Sequence, residues 1–331
     1  MRYLVRRGIM LLLTLWSAIT LNFLLPRMMP GNPAEVMLAK FKGKGNMGPQ
    51  AIHAIKVMLG ISNESLFKQY LQYWQEIFHW NFGVSYTYFP FSVTHMIDQA
   101  LPWTLTLIGV TTVLSFVIGT LLGIWAAWTR GSLLDSVVTS VLTFTSSFPY
   151  FWFAMIVVFL LAFVTNVFPN SGGYGSQMSP GFNLSFIASA VYHSILPAVT
   201  ILVSSLGGWQ LQMRNNMISA LNEDYVVLAR AKGLPERVLA ISYAARNAIL
   251  PNMTGFAMSL GFVVSGAILV ELVFSYPGMG TLLYNAVSNE DYPLMQGIFL
   301  MIVIGVVMAN FVADIVNVAL DPRIRRGGGD S

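Results

Sequence analysis

The sequence predicts an all-α polytopic membrane protein with six transmembrane helices and a small external region between the first two. Composition is the first observation. The 331 residues are 55% hydrophobic and 10% charged, with a mean hydropathy of +0.65, whereas about a quarter of the residues in soluble domains are charged. Six apolar segments then approach or exceed the ~20 residues a helix needs to cross a bilayer. They lie at about 8–29, 101–128, 135–165, 188–212, 251–273 and 295–319. Finally, Lys and Arg crowd the connections on one side of these segments, the asymmetry that sets membrane topology.

The same composition excludes several classes. Net charge is only +4 and the basic residues are clustered, which does not make a nucleic-acid footprint. Cysteine is absent, so disulfides, thiolate metal sites and cysteine nucleophiles are excluded.

The chain opens MRYLVRRGIMLLLTLWSAITLNFLL, a basic segment followed by an apolar run. A secretory signal has this order too. Here the run from Gly8 extends about 17 residues before Pro26 without an A-x-A-like cleavage site, so a retained first span is expected.

Orientation follows from the cations. Arg2, Arg6 and Arg7 precede the first span and Arg130 follows the second. Arg214, Arg230, Lys232, Arg237 and Arg246 lie between the fourth and fifth, and Arg323, Arg325 and Arg326 follow the sixth. The loops at 166–187 and 274–294 contain neither Lys nor Arg. Both termini and the loop at 213–250 are therefore expected in the cytoplasm. The chain divides into 1–29 (terminus and first span), 30–100 (external), 101–320 (the remaining spans) and a tail at 321–331.

The external region opens with MPGNP, a turn cluster, and passes through KFKGKGNMG, read as a flexible tip. It continues as LFKQYLQYWQEIFHW, with Phe67, Tyr70, Leu71, Trp74, Ile77 and Phe78 at helical spacing. This is an amphipathic helix whose aromatic face either lies on the membrane interface or packs on the outer ends of the spans.

Within the spans, small residues recur at the spacing that lets helix backbones approach. Gly119 and Gly123 do so in the second, Gly255/Ser259 and Gly261/Ser265 in the fifth. Pro149, between Phe148 and Tyr150, requires a kink or tilt in the long third segment. Thr143, Thr145, Ser146 and Ser147 precede it, and they either line a pathway or bond their own helix.

Catalytic sets are missing. There is no HExxH, and His53, His79, His95 and His193 are scattered singly. No GxxxxGK[ST] occurs, so the chain has no P-loop for ATP phosphates. Ionisable residues within spans mark ion or substrate paths by default. Glu271 lies near the outer end of the fifth span. Asp314 lies near the inner end of the sixth, with Asn310 and Asn317 on its face. No cationic or histidine partner is evident in mid-membrane and the halves show no repeat, so an ion-coupled carrier is disfavoured. The energy source is expected to be another chain.

The stretch EDYVVLARAKGLPERVLAISYAARNAILP, 223–251, is the most ordered connection. Glu223 and Asp224 suit a helix start, Gly233 the left-handed residue that ends a helix, and Pro235 the first turn of another. A helix–turn–helix elbow results. It docks a cytoplasmic partner or rests on anionic lipid as an interfacial helix.

These residues resemble the EAA motif of permease subunits of ATP-binding cassette importers, with Glu223, Ala229, Ala231, Gly233, Leu250 and Pro251 in its places. Position 224 is Asp where the general motif has Ala. The likeness to the first (B-type) permease of the dipeptide, oligopeptide and nickel importers extends along the chain. It takes in MRYLVRR, PGNP at 30–33, LGI at 59–61, QYLQYW at 69–74, FGVSY at 82–86 and LPWTLTL at 101–107. It continues through ELVFSYPGMGTLL at 271–283, DYPLMQG at 291–297 and DPRIR at 321–325.

The resemblance implies a type I importer permease fold in a bacterial or archaeal cell membrane. It implies a second, similar permease in a heterodimer, one or two cytoplasmic ATPase subunits that bind ATP and Mg, and an external solute-binding protein. This chain binds no cofactor. Glu223, Asp224, Tyr225, Ala229, Ala231, Lys232, Gly233, Leu234 and Pro235 form the ATPase-coupling helix and its support. Thr143, Ser146, Ser147 and Glu271 are the candidate pathway residues. Peptides are the first cargo expected on family frequency, with nickel chelates or oligosaccharides as alternatives.

Overall fold

The computed structural model describes residues 2–28, 65–265 and 267–320. The turn cluster at 29–33, the Lys/Gly stretch, LGI at 59–61, DPRIR at 321–325 and the side chains of Arg2, Arg6, Arg7 and Asn317 lie outside what is described.

The regular structure of the described residues is helical, apart from a lone antiparallel bridge between Val84 and Ser92. Helix α1 is Arg2–Met28 and α2 is Leu66–Phe78. Helix α3 is Val93–Trp128, started by the Ser92 side chain, which accepts from the His95 N–H. Helices α4, Leu133–Ser147, and α5, Tyr150–Val158, follow, and α5 continues as a π-helical turn to Val164. Helix α6 is Leu184–Leu221 and α7 is Asp224–Ala231. One helical turn at Glu236–Val238 passes through a π-helical stretch, Leu239–Ala245, into α8, Arg246–Phe262. Then come α9, Ile268–Val273, α10, Met279–Ser288, and α11, Tyr292–Leu320.

All six expected segments carry helix, and three or four of them meet the length and apolarity of a full span among the described residues. Among the described residues α3, α6 and α11 are long and apolar enough to cross a bilayer, and α4 with α5 make a fourth if counted as one bent span. That pair bends by 93° at Pro149, where Phe148 is extended (ψ 140°), as the residue before a proline prefers. The expected kink is there and is larger than a tilt. The apolar part of α1 is the shorter stretch Gly8–Leu24. The fifth expected segment, 251–273, is interrupted between α8 and α9, where the sequence carries the poor helix formers Ser265 and Gly266. Helices α3 and α6 also overrun the expected bounds, starting at Val93 and ending at Leu221.

Helix association in a bilayer lacks the hydrophobic drive of water and relies on close backbone packing. Glycines provide it here. A β-carbon on Gly119 would lie 2.6 Å from Trp209 Cβ, and one on Gly123 2.6 Å from the Gln210 carbonyl oxygen. Helices α3 and α6 therefore run in the same direction in contact. Gly207, on α6, abuts the Leu142 carbonyl and the Ser146 hydroxyl of α4, which runs the opposite way. A β-carbon on Gly261 would lie 2.7 Å from Ala309 Cβ and one on Gly305 2.6 Å from Val264, so α8 and the turn after it pack closely on α11.

Adjacent glycines on α6 provide a test. Gly207 abuts α4, whereas nothing lies within 4 Å of a β-carbon on Gly208. Gly207→Ala is expected to destabilise the detergent-solubilised protein by about 1–3 kcal/mol. Gly208→Ala is expected to be neutral or stabilising by up to about 1 kcal/mol. Thermal unfolding of the two variants measures the difference.

Candidate functional site

The elbow begins where α6 ends. Glu223 occupies the N-cap position of α7, its carbonyl accepting from the Val226 (2.9 Å) and Val227 (3.1 Å) N–H groups, while its side chain makes no capping bond. Asp224 lies in the first turn, where the helix dipole favours negative charge. At the other end, the Gly233 N–H donates to Arg230 O at 2.9 Å and the Leu234 N–H to Ala229 O at 3.4 Å. This pair of bonds is the Schellman arrangement. It needs the left-handed backbone that Gly233 adopts, with φ +80°. Pro235 lies one position earlier than expected, at the N-cap of the Glu236 turn rather than within it. The Arg230 guanidinium donates across the corner to both Glu236 oxygens (3.0 and 3.3 Å).

The elbow has two unlike faces. Inward, Val226, Ala229 and Leu239 are buried, with Leu221, Leu234 and Tyr243 packed on them. Outward, Val227, Leu228 and Ile241 are 52%, 58% and 57% exposed, flanked by exposed Arg230, Ala231, Lys232 and Arg237. Tyr225 is exposed as well and accepts from Asn247 Nδ2 at 3.0 Å, tying α7 to the second arm. That arm continues without a break through Pro251 into α8. Exposed apolar side chains interspersed with charged ones, Asp224 as well as the cations, thus lie outward of a seat set between α6 and α8.

Two polar joints anchor the seat. The Arg214 guanidinium on α6 donates to both Asp135 carboxylate oxygens on α4, each at 2.8 Å, and Asp135 is almost fully buried. Asp135 also accepts from the Gly131 N–H (3.1 Å) and the Thr139 hydroxyl (3.2 Å), and Gln210 donates to that hydroxyl at 3.0 Å. Next to Pro251, buried Asn252 lies between Thr120 on α3 and Asn216 on α6. Sequence reasoning missed the Arg214–Asp135 pair. Its one local signal was Ser132-Leu-Leu-Asp135, a capping pattern, in which Ser132 indeed accepts from the Asp135 N–H.

The pathway candidates do not come together. Ser146 and Ser147 donate to carbonyls of their own helix (2.8 and 2.7 Å), and Ser146 also faces Gly207. Thr143 is exposed beside them. Glu271 is fully buried at the opposite end of the bundle from the elbow. Its carboxylate accepts from the Thr104 hydroxyl (2.8 Å) and from the Gly280 (2.7 Å) and Thr281 (3.3 Å) N–H groups. Thr104 in turn accepts from the Met279 N–H at 2.7 Å. Glu271 therefore caps α10 from outside that helix. Asp291, buried at the same end, starts α11 through the Leu294 N–H (3.2 Å) and accepts from Ser85 (2.5 Å) and the Thr87 N–H (2.8 Å). Burial, with this carboxylate nearby, pushes the Tyr86 hydroxyl above its ordinary range.

Motifs far apart in the sequence thus meet in space, LPWTLTL with ELVFSYPGMGTLL and FGVSY with DYPLMQG. Comparison with known proteins accords with this. Residues 119–326 match the family described as binding-protein-dependent transport system inner membrane component, and residues 1–108 match its N-terminal membrane component family. The chain belongs to this family. It is 36% identical to the di/tripeptide transport system permease protein DppB of Pseudomonas aeruginosa (strain UCBPP-PA14), across 98% of both chains. The oligopeptide transport system permease protein AppB of Bacillus subtilis (strain 168) is 30% identical across 97% of this chain and 98% of its own. The metal-staphylopine import system permease protein CntB of Staphylococcus aureus (strain Mu50 / ATCC 700699) is 31% identical across 93% of each. The protein is accordingly a multi-pass permease component of an ATP-binding cassette transport system.

The Arg214–Asp135 pair is open to a direct test in this permease. Asp135→Ala strands a mostly buried guanidinium and is expected to cost about 3 kcal/mol. Asp135→Leu combined with Arg214→Met, which removes both charges, is expected to recover most of that loss in thermal unfolding.

Proposed function

We propose that this permease forms half of the translocation path of a peptide importer and that its elbow is the contact for a cytoplasmic ATPase. The single observation carrying the coupling role is the exposed ridge of Val227, Leu228 and Ile241 on a rigid corner. Apolar side chains held in this way against water, and rimmed by Arg230, Lys232 and Arg237, suit a groove in a partner. The corner begins two residues after α6 and runs into α8, so displacement of these side chains reaches the spans through short connections.

On this reading Glu223, Asp224, Tyr225, Ala229, Ala231, Lys232, Gly233, Leu234 and Pro235 are the coupling residues. Val226 and Leu239 lie beneath them and, with the buried Ala229, make the seat. The elbow and both termini face the cytoplasm, as the distribution of Lys and Arg indicates. The 30–100 region faces outward, where a solute-binding protein delivers cargo. ATP and Mg are bound by the partner ATPases, and a second permease completes the path. The division into 1–29, 30–100, 101–320 with the coupling loop 213–250, and 321–331 belongs to the same reading, as do pathway roles for Thr143, Ser146, Ser147 and Glu271.

Peptide cargo is supported by the di/tripeptide and oligopeptide permeases among the relatives. A second cargo class, a small metal chelate, is favoured by the metal-staphylopine permease.

Leu228→Glu puts a charge on the ridge without touching the seat. It is expected to leave membrane insertion unchanged and to lower ATPase co-purification and peptide uptake at least about tenfold, as loss of an interface anchor does. Gly233→Arg and deletion of 229–236 are expected to abolish both. Uptake of labelled di- and tripeptides by cells expressing each variant with its partner subunits measures this, and normal uptake in Leu228→Glu would refute the docking role.

A further inference from the structure

Helix α2 carries an apolar strip that the importer reading leaves unused. The side carrying Tyr70 and Tyr73 holds the helix on α1. Tyr70 shares a hydrogen bond with Thr20 (2.7 Å), the Tyr73 hydroxyl accepts from Asn22 (3.1 Å), and Phe23 packs on both rings at 5.2 and 5.5 Å. The next side of the helix holds Phe67, Leu71 and Phe78, which are 70%, 53% and 75% exposed. Trp74 lies between the two sides, edge-on to Tyr70. Gln72 and Glu76 occupy the opposite face by helical spacing, with Lys68 and Gln75 on the flank beside Leu71.

The depth of this strip follows from its anchors. Asn22 donates to the Gln296 carbonyl at 2.8 Å, and Gln296 donates back to the Asn22 carbonyl at 3.3 Å. Gln296 is about 6 Å along the axis from the start of α11 at Tyr292, at 1.5 Å per residue. The α2 contact is therefore level with the first turns of a spanning helix. It is also at the end of the bundle opposite the elbow, because Gly297 adjoins Val93 at the start of α3. Exposed Leu21 and Leu24 of α1 lie at the same level, so the strip continues a lipid-facing surface. Just past the helix, exposed Trp80 adds a ring of the kind that anchors at membrane interfaces.

We propose that α2 is an interfacial membrane helix, with Phe67, Leu71 and Phe78 lying in the headgroup–acyl boundary on the side opposite the elbow. The amphipathic pattern matches helices that lie in the plane of the interface. Its effect is to fix the height of the 65–92 segment, and hence of the Ser85–Asp291 joint, relative to the bilayer. The inference does not depend on cargo or on which subunit the elbow contacts.

The absence of cysteine permits a clean test. Single cysteines at the exposed positions 67, 71, 72 and 76 are labelled with a nitroxide in the full permease, assembled with its partner subunits in phosphatidylethanolamine–phosphatidylglycerol vesicles. Collision with oxygen, which concentrates in lipid, is compared with collision with a water-soluble nickel chelate. The oxygen-to-nickel ratio at 67 and 71 is expected to exceed that at 72 and 76 by about tenfold, as burial of one face in the interface requires. Equal ratios at all four sites would overturn the proposal. So would a strip shielded from both reagents, whether by residues 29–64 or only when solute-binding protein is added, because its occupant is then protein.

Discussion

The close approach of α3 and α6 is the contact on which the rest depends. Gly119 and Gly123 let the α3 backbone lie directly against Trp209, Gln210 and Met213. In lipid no hydrophobic force would substitute for that contact. It fixes α6, and α6 fixes everything after Leu221, because the elbow begins within two residues of its end. Gly207 holds α4 about a quarter-turn round α6 from that face, so α6 has neighbours at backbone distance on two adjacent sides. A helix held in this way can carry displacement along its length.

Polar joints sit at the two ends of this packed middle. At the elbow end, Arg214 and Asp135 neutralise each other and tie α6 to α4 where α4 starts. At the far end, Glu271 and Asp291 each terminate a helix and bond to a distant segment. Each carboxylate is buried, and each has N–H or O–H donors around it, which is the condition for burying such a group at tolerable cost. The arrangement is a glycine-packed centre between hydrogen-bonded caps, with the elbow projecting from one end.

Much of this was legible in the sequence where the information is local. Gly233 was readable as a left-handed helix end because a glycine between Lys232 and Leu234, followed by Pro235, has few other uses. The Leu66–Phe78 helix was readable from its aromatic spacing, and the α3 packing face from GxxxG. What could not be read was pairing across distance. Asp135 lies 79 residues from Arg214, and nothing in either segment names the other. Glu271 looked like a pathway carboxylate because it stood alone in an apolar run. Its role as a cap for α10 depends on a turn that only the fold creates. The span count was also less legible than the spans, because hydropathy does not register the 93° bend at Pro149 or the break before α9.

The central claim is that the Val227–Leu228–Ile241 ridge is a protein-docking surface rather than a lipid-resting one. The most direct measurement places a photoactivatable cross-linker on a single cysteine at 228 in the assembled transporter. The account predicts a covalent adduct with an ATPase subunit, from position 228 and not from a cysteine at buried Ala229. Adducts with lipid alone, with no protein product from 228, would contradict it.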